Sequence, residues 1–420
     1  MFGTIKGALA LAGAVLVGTL ACQGPAAAAD EPIKIGFGMA LTGPLAGNGK
    51  GALLAMQIWA EDVNAKGGLL GRQVKLVYYD DQSTPATVPG IYTKLIDVDR
   101  ADLVVGGYAT NMLAPAMPVV MQHNMTFIGL LGLAVNSAFN YPRYFSMAPS
   151  GPDPKPAFTK GFFDVAMAQT PKPKTVALVA ADAEFAKNAS DGARANAKAA
   201  GLELVYDRSY PPSTTDFTPI VRGIQAANPD LVVVCSYPLD SVGMVRAANE
   251  IGLKTKMFGG AMVGLQTTST KTQLGPLLNG IVNYDFWLPV KAMLFPGVLD
   301  FLKKYQAKSP AAGVDLLGYY LPPFAYSDLQ VLAAAVEGTK GLDQAKLAAY
   351  LHEHSVKTIL GELKFGANGE WSAPRMLQIQ FRHIKGNDLE QFRGTDTQVV
   401  LTPPEYKSGE VIYPYTAAKN

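Results

Sequence analysis

Short apolar runs alternate along the chain with longer stretches whose apolar residues recur every three or four positions. Ile33 to Gly38 reads as a buried strand, and Ala52 to Asn64 then sets Met56, Trp59 and Val63 on one helical face before Gly67-Gly68 ends it. Gln73 to Tyr79 follows as a strand, Val88 to Asp99 as a helix, Leu103 to Gly106 as a strand, Leu113 to His123 as a helix and Thr126 to Gly129 as a strand. Strands alternating with helices in this way predict a parallel sheet. The stretch from Tyr144 to Pro156 breaks the rhythm with Pro149, Pro152, Pro154 and Pro156. The alternation then resumes with a helix over 156–169, a strand over 175–180, a helix over 190–200, a strand over 203–208, a helix over 218–227, a strand over 231–235, a helix over 241–251 and a strand at Met257. The pattern predicts an α/β fold of two doubly wound parallel-sheet lobes. Three hinge crossings join them, at the proline-rich stretch, near Asn283 and near Thr358 to Gly361.

The first residues change that picture only at the terminus. Lys6 precedes an apolar run from Ala8 to Ala21 and the small residues Ala26 to Ala29, the pattern of an export signal over residues 1–29 cut before Asp30. A lipoprotein signal ending at Cys22 is the rival reading. Beyond it no apolar run approaches the roughly 20 residues a membrane span requires. The two lobes then take residues 30–147 with 286–358, and 148–285 with 359–420. The 420 residues carry 36 Lys and Arg against 34 Asp and Glu, a balance with no basic run, so nucleic acid is not an expected partner. Cys235 sits in the run Leu231 to Cys235 and reads as a buried strand residue, which leaves the exported protein without a disulfide.

Leu41-Thr42-Gly43-Pro44, the run Glu61-Asp62-Val63-Asn64-Ala65-Lys66-Gly67-Gly68-Leu69-Leu70-Gly71-Arg72, then Tyr79-Asp80-Asp81-Gln82, resemble the opening of the branched-chain amino-acid type of periplasmic binding protein. Val104-Val105-Gly106 and Ala114 to Val120 extend the resemblance in order and spacing over nearly the whole mature chain. It implies a type I periplasmic binding protein: a monomeric, periplasmic, non-enzymatic receptor that closes two lobes on a small ligand and delivers it to an ABC permease in the inner membrane. No metal or cofactor is expected.

Open parallel sheets bind ligands beyond the carboxyl ends of their strands, which directs attention to the loops there. Gly43-Pro44 and Gly47-Asn48-Gly49 read as the first loop, either a plain turn or a contact through Asn48. Tyr108-Ala109-Thr110 leads into a helix whose free amides, with the Thr110 hydroxyl, suit a carboxylate; the alternative is that Thr110 or Asn111 only caps the helix. Where the resemblance implies further contacts, the sequence departs from it. Gly129-Leu130-Leu131-Gly132-Leu133-Ala134 replaces a polar segment, Phe185 replaces a Tyr, and Tyr237 keeps the aromatic type. Ala261, beside Met262 in Phe258 to Gly264, matches the acid that holds a ligand's ammonium. Burying an ammonium without a carboxylate costs several kcal/mol, which apolar contacts at roughly 0.8 kcal/mol per CH2 do not recover. The expected ligand is therefore an aromatic or apolar carboxylic acid, with a small amide or a branched-chain amino acid as alternatives. Leu131, Gly132, Ala134, Phe185, Tyr237, Ala261 and Met262 join Asn48, Tyr108, Ala109 and Thr110 as expected ligand contacts.

Glu184 reads as a surface residue that could instead turn inward, and Tyr284, Phe286 and Trp287 read as core or as a ring in the cleft. An exported Rossmann-like enzyme is the remote alternative. Gly36 and Gly38 begin a dinucleotide fingerprint, but Leu41 holds its third glycine position, and neither a Gly-x-Ser-x-Gly elbow nor a phosphate loop occurs. His352 and His354 would point about 200° apart on a helix, unlike a metal pair. A sensing partner of a signalling receptor would share every one of these features.

Overall fold

Every strand expected from the apolar runs forms, most of them reaching a residue or two beyond the run. The computed structural model describes residues 1–4 and 31–419. The chain divides into two units, Met1–Glu31 and Pro32–Asn420, and the regular structure among the described residues lies in the second. Apart from its first four residues, the expected export signal, with Cys22 and the cut before Asp30, lies outside the described residues.

One sheet contains β1 (Ile33–Met39), β2 (Val74–Asp80), β3 (Leu103–Tyr108), β4 (Phe127–Leu130) and β5 (Tyr144–Ser146), in the order β2-β1-β3-β4-β5 and parallel throughout. The other is built from β6 (Thr175–Ala181), β7 (Glu203–Tyr210), β8 (Leu231–Ser236), β9 (Met257–Met262) and β10 (Val282–Asp285), all parallel. A hairpin of β11 (Val356–Thr358) and β12 (Gly361–Leu363) stands apart, and β13 (Leu377–Phe381) with β14 (Gln398–Thr402) adds an antiparallel edge beside β10. Every residue of β3, β8 and β9 is buried, as strands covered on both faces require. Cys235 lies in β8 with no exposed surface, and burial pushes its thiol up to about 12.

Most helices begin earlier than their apolar spacing predicts, whereas those at Val88 and Thr218 begin where expected. The first runs Ala46–Asn64, so Gly47-Asn48-Gly49 is a helical turn and not the expected loop. A Cβ on Gly49 would stand 2.0 Å from the Ala40 carbonyl oxygen, so glycine lets this turn pack directly on the end of β1. The residues that carry the family resemblance hold loops in place. The Asp80 carboxylate accepts from the amides of Leu41 and Thr42 and from the Thr42 hydroxyl at 2.7 Å. Burial acts to raise its pKa, but these bonds outweigh it and leave the carboxyl below its ordinary value. Asn64 clamps Val74 through both its amide groups, at 2.7 and 2.9 Å.

Between the sheets the chain passes along the proline-rich stretch after β5 and again after β10. Thr358–Gly361, expected as a third crossing, is the turn of the β11–β12 hairpin. The return to the second sheet follows it, along residues 364–376. This return runs beside the proline-rich crossing: Ser146 N donates to Gly369 O at 2.8 Å and Arg375 N to Pro149 O at 2.7 Å. Glu370 lies in it, buried next to the Ser146 hydroxyl.

Candidate functional site

Residues at the carboxyl ends of both sheets converge on one cavity with about 420 Å3 of space unfilled by atoms, part of it open to solvent. From the first sheet come Leu45 after β1, Tyr108, Ala109 and Thr110 at the end of β3, Leu131 and Leu133 after β4, and Ala148 after β5. The second supplies Phe185 after β6, Tyr237 after β8, Val263 after β9, and Tyr284 and Phe286 at the end of β10. Phe158, from the helix Pro154–Met167, and Tyr320 complete the wall. Not one of these side chains carries a charge, because burial holds the Tyr108, Tyr237, Tyr284 and Tyr320 phenols above their ordinary value. The rings support one another edge-on: Phe158 packs against Phe185 at 5.3 Å and Phe185 against Tyr237 at 5.8 Å between centroids.

One side of this apolar chamber carries hydrogen-bond donors. The helix Thr110–Gln122 starts after Ala109, whose φ of 86° and ψ of 146° fall where almost only glycine is found. That turn leaves the Thr110 and Asn111 amides at the helix start with no acceptor among the described residues. Thr110 Oγ1 accepts from Leu133 N at 2.9 Å, so its own proton remains to be donated. Two amides and a hydroxyl at a helix N-terminus favour an anion.

The same helix start holds the two sheets' loops together. Asn111 Oδ1 accepts from the Tyr237 hydroxyl at 2.7 Å and from Phe185 N at 3.3 Å, while Asn188 Nδ2 donates to Leu133 O at 3.0 Å. Removing the acceptor with Asn111→Ala should weaken ligand binding about 5- to 10-fold, the worth of one to two buried hydrogen bonds, as measured by titration calorimetry. Binding unchanged within two-fold would show that these bonds contribute nothing to ligand binding.

Of the residues expected from sequence, Tyr108, Ala109, Thr110, Leu131, Phe185 and Tyr237 line the cavity. Asn48 stands directly behind the wall, donating from Nδ2 to the Tyr108 hydroxyl at 2.9 Å. Gly132 faces Leu113 and Val135 rather than the cavity, and Ala134 is buried beyond it. Ala261 and Met262 require correction. Both belong to β9 and have no exposed surface, with Met262 bonded on both sides of its peptide to the Asn283 side chain. The strand continues through Met262, one residue past Ala261, so the first side chain of this segment to reach the cavity is Val263. Tyr284 and Phe286 take the cleft reading, whereas Trp287 is core, its Nε1 donating to Met293 O at 3.0 Å. Phe158 and Tyr320 went unnoticed in the sequence, where nothing distinguishes them from core aromatics.

No acid stands in the wall. Glu184 is an exposed residue in the first turn of its helix. Asp240 lies in an outer cleft of about 650 Å3 beyond Leu45 and Tyr237, where its Oδ2 accepts from the Tyr210 hydroxyl at 3.1 Å. His352 and His354 bond separate carbonyls, of Pro142 and Tyr350, and no group of three His, Cys, Asp or Glu among the described residues could hold a metal ion. None of the helices among the described residues is long and apolar enough to cross a membrane.

A family model described as periplasmic binding protein matches residues 32–377. The chain belongs to the periplasmic binding protein family. Among curated relatives, this binding protein is 26% identical over 390 residues to the Leu/Ile/Val-binding protein homolog 7 of Brucella abortus (strain 2308), an alignment covering 88% of this chain and 94% of the relative. Among solved structures it superposes on LivJ from Streptococcus pneumoniae, in complex with isoleucine, with a TM-score of 0.71 and 20% identity over 89% of this chain and all of the other. A solute-binding protein from R. palustris in complex with benzoate gives a TM-score of 0.72 and 17% identity, over 91% of this chain and 99% of that one. The branched-chain amino-acid type and the two-lobed type I fold expected from the sequence both hold.

Proposed function

We propose that this binding protein closes its two lobes on an aromatic or otherwise apolar carboxylic acid in the periplasm and delivers it to an ABC permease. The observation that carries the reading is the wall itself, uncharged and built of aromatic and aliphatic side chains except at the helix start, where the Thr110 hydroxyl has a proton left for an anion. A carboxylate there gains charge-assisted bonds. The rest of such a ligand is apolar and meets apolar wall. Benzoate in the R. palustris protein lends the ligand class support on the same fold.

The second reading, a branched-chain amino acid, is favoured by the name of the Brucella relative. It requires an ammonium to be buried in a wall that offers it no carboxylate, at a cost of several kcal/mol. A small neutral amide escapes that cost but leaves the helix start without an anion. For closure, the natural hinge is the pair of bonded segments after β5 and before β13.

Thermal unfolding in the presence of candidate ligands tests the reading. Benzoate-like or cinnamate-like acids at about 100 times their dissociation constant should stabilise the protein by roughly 2.7 kcal/mol. Leucine or valine stabilising it more than any aromatic acid would overturn the proposal, and conversion of a candidate into a new compound would point to an enzyme instead.

A further inference from the structure

The phenols in the cavity wall are not distributed evenly. Tyr108, Tyr284 and Tyr320 meet in one cluster, each ring at most 3% exposed. The Tyr284 and Tyr320 hydroxyls are 3.0 Å apart, the Tyr108 hydroxyl interacts with that of Tyr320, and Asn48 Nδ2 donates to Tyr108 from behind at 2.9 Å. All three tyrosines line the cavity.

A count of protons shows what this cluster lacks. Each phenol brings one O–H, and the contacts Tyr108–Tyr320 and Tyr320–Tyr284 can absorb two of the three. Asn48 contributes a further donor and accepts none of them. No other acceptor among the described residues bonds these hydroxyls. Whichever way the bonds run, at least one phenolic proton has no acceptor in the protein, and it sits in a wall from which bulk water is largely excluded. A buried donor of this kind is costly to leave unmade. Deprotonation cannot relieve it, because burial makes the phenolate still less favourable.

We infer that the Tyr108–Tyr320–Tyr284 cluster is a specificity subsite for a neutral oxygen on the ligand's ring, most simply a phenolic hydroxyl. Such a hydroxyl accepts the spare proton and returns its own to one of the tyrosine oxygens, which keep lone pairs free. A second carboxylate would satisfy the donor but would bring a buried charge with no cation in the wall to balance it. An unsubstituted ring leaves the donor unsatisfied, and a site built to bond a hydroxyl discriminates against the analogue that lacks it. The inference rests on the aromatic-acid reading of the same cavity and adds the substitution pattern to it.

Titration calorimetry with benzoate, 3-hydroxybenzoate and 4-hydroxybenzoate, on the full mature chain, tests it. At least one hydroxylated acid should bind about ten-fold or more tightly than benzoate. The triple substitution Tyr108→Phe, Tyr284→Phe and Tyr320→Phe removes every phenolic proton of the cluster and should bring that ratio towards one, and the ratio in the native protein remains the test should this variant fail to fold. Benzoate binding as tightly as both hydroxylated acids, or the ratio surviving the triple substitution, would overturn the subsite and leave the aromatic-acid reading standing. Failure of all three acids to bind would overturn that reading, and the subsite with it.

Discussion

Thr110→Val should weaken binding of an aromatic carboxylate about 10- to 100-fold while the protein stays folded. The threonine hydroxyl accepts from Leu133 N and has one proton left for the ligand, so the substitution removes a charge-assisted bond worth about 1.5–3 kcal/mol from the complex. A second effect appears without any ligand. The Leu133 amide loses its acceptor in a buried loop, which should lower unfolding stability by about 1–3 kcal/mol. Thr110→Ser retains the hydroxyl and should restore most of both quantities. Calorimetric titration and urea unfolding separate the two effects, and an undiminished affinity in Thr110→Val would remove the helix start from the ligand site.

Glu370→Gln should abolish a pH dependence of stability that the native protein shows between about pH 5 and pH 8. Burial in the segment joining β12 to β13 raises the Glu370 carboxyl from its ordinary 4.5 to about 8, with the Ser146 hydroxyl offsetting only part of the shift. Because the folded pKa lies above the unfolded one, the native state retains a proton that the unfolded chain gives up over this interval. Its stabilising contribution is complete below about pH 4.5 and is lost as the pH rises through 8. At pH 9 the native protein must bury a carboxylate with neither oxygen bonded in the hydrogen-bond geometry, whereas the glutamine remains neutral. The variant should then be the more stable by a few kcal/mol at pH 9 and no better at pH 4. Urea unfolding at pH 4, 7 and 9 measures this directly. Parallel curves for the two proteins would mean that Glu370 is ionised in the native state.

Strands and cavity were legible to different degrees, for physical reasons. Parallel strands covered on both faces are continuous apolar runs, so β8 stands out at Leu231 and β1 at Ile33. The antiparallel β13 was missed because Gln378 and Gln380 interrupt its apolar pattern, although both are buried, and β14 because its apolar run, Val399 to Leu401, is only three residues long. Most helix starts were placed late because the first turn contributes amides and glycines in place of a periodic apolar face, as at Gly47 to Gly51. On the first sheet Tyr108 to Thr110, at the end of β3 and the start of the following helix, were singled out because a strand that ends at a helix start suits an anion, and they line the cavity. The opposite wall was harder. An aromatic cavity and an aromatic core have the same composition, so Phe158 and Tyr320 carried no mark in the sequence. For Ala261 the difficulty was register: the strand runs to Met262, and Val263 takes the position at the cavity.

The helix start at Thr110 and Asn111 touches two things at once. Thr110 lines the cavity, and the side chain of Asn111 reaches across to Tyr237 and Phe185. On the proposed closure, measured affinity is the intrinsic affinity multiplied by the fraction of molecules already closed. A substitution at Asn111, which contacts the ligand by no side-chain atom in this reading, lowers that fraction and acts on every ligand by the same factor. Changes in the wall, by contrast, reorder ligands relative to one another. Affinity and selectivity are thus separable in this receptor, and its threshold for a solute can drift in evolution while its preference among solutes stays fixed.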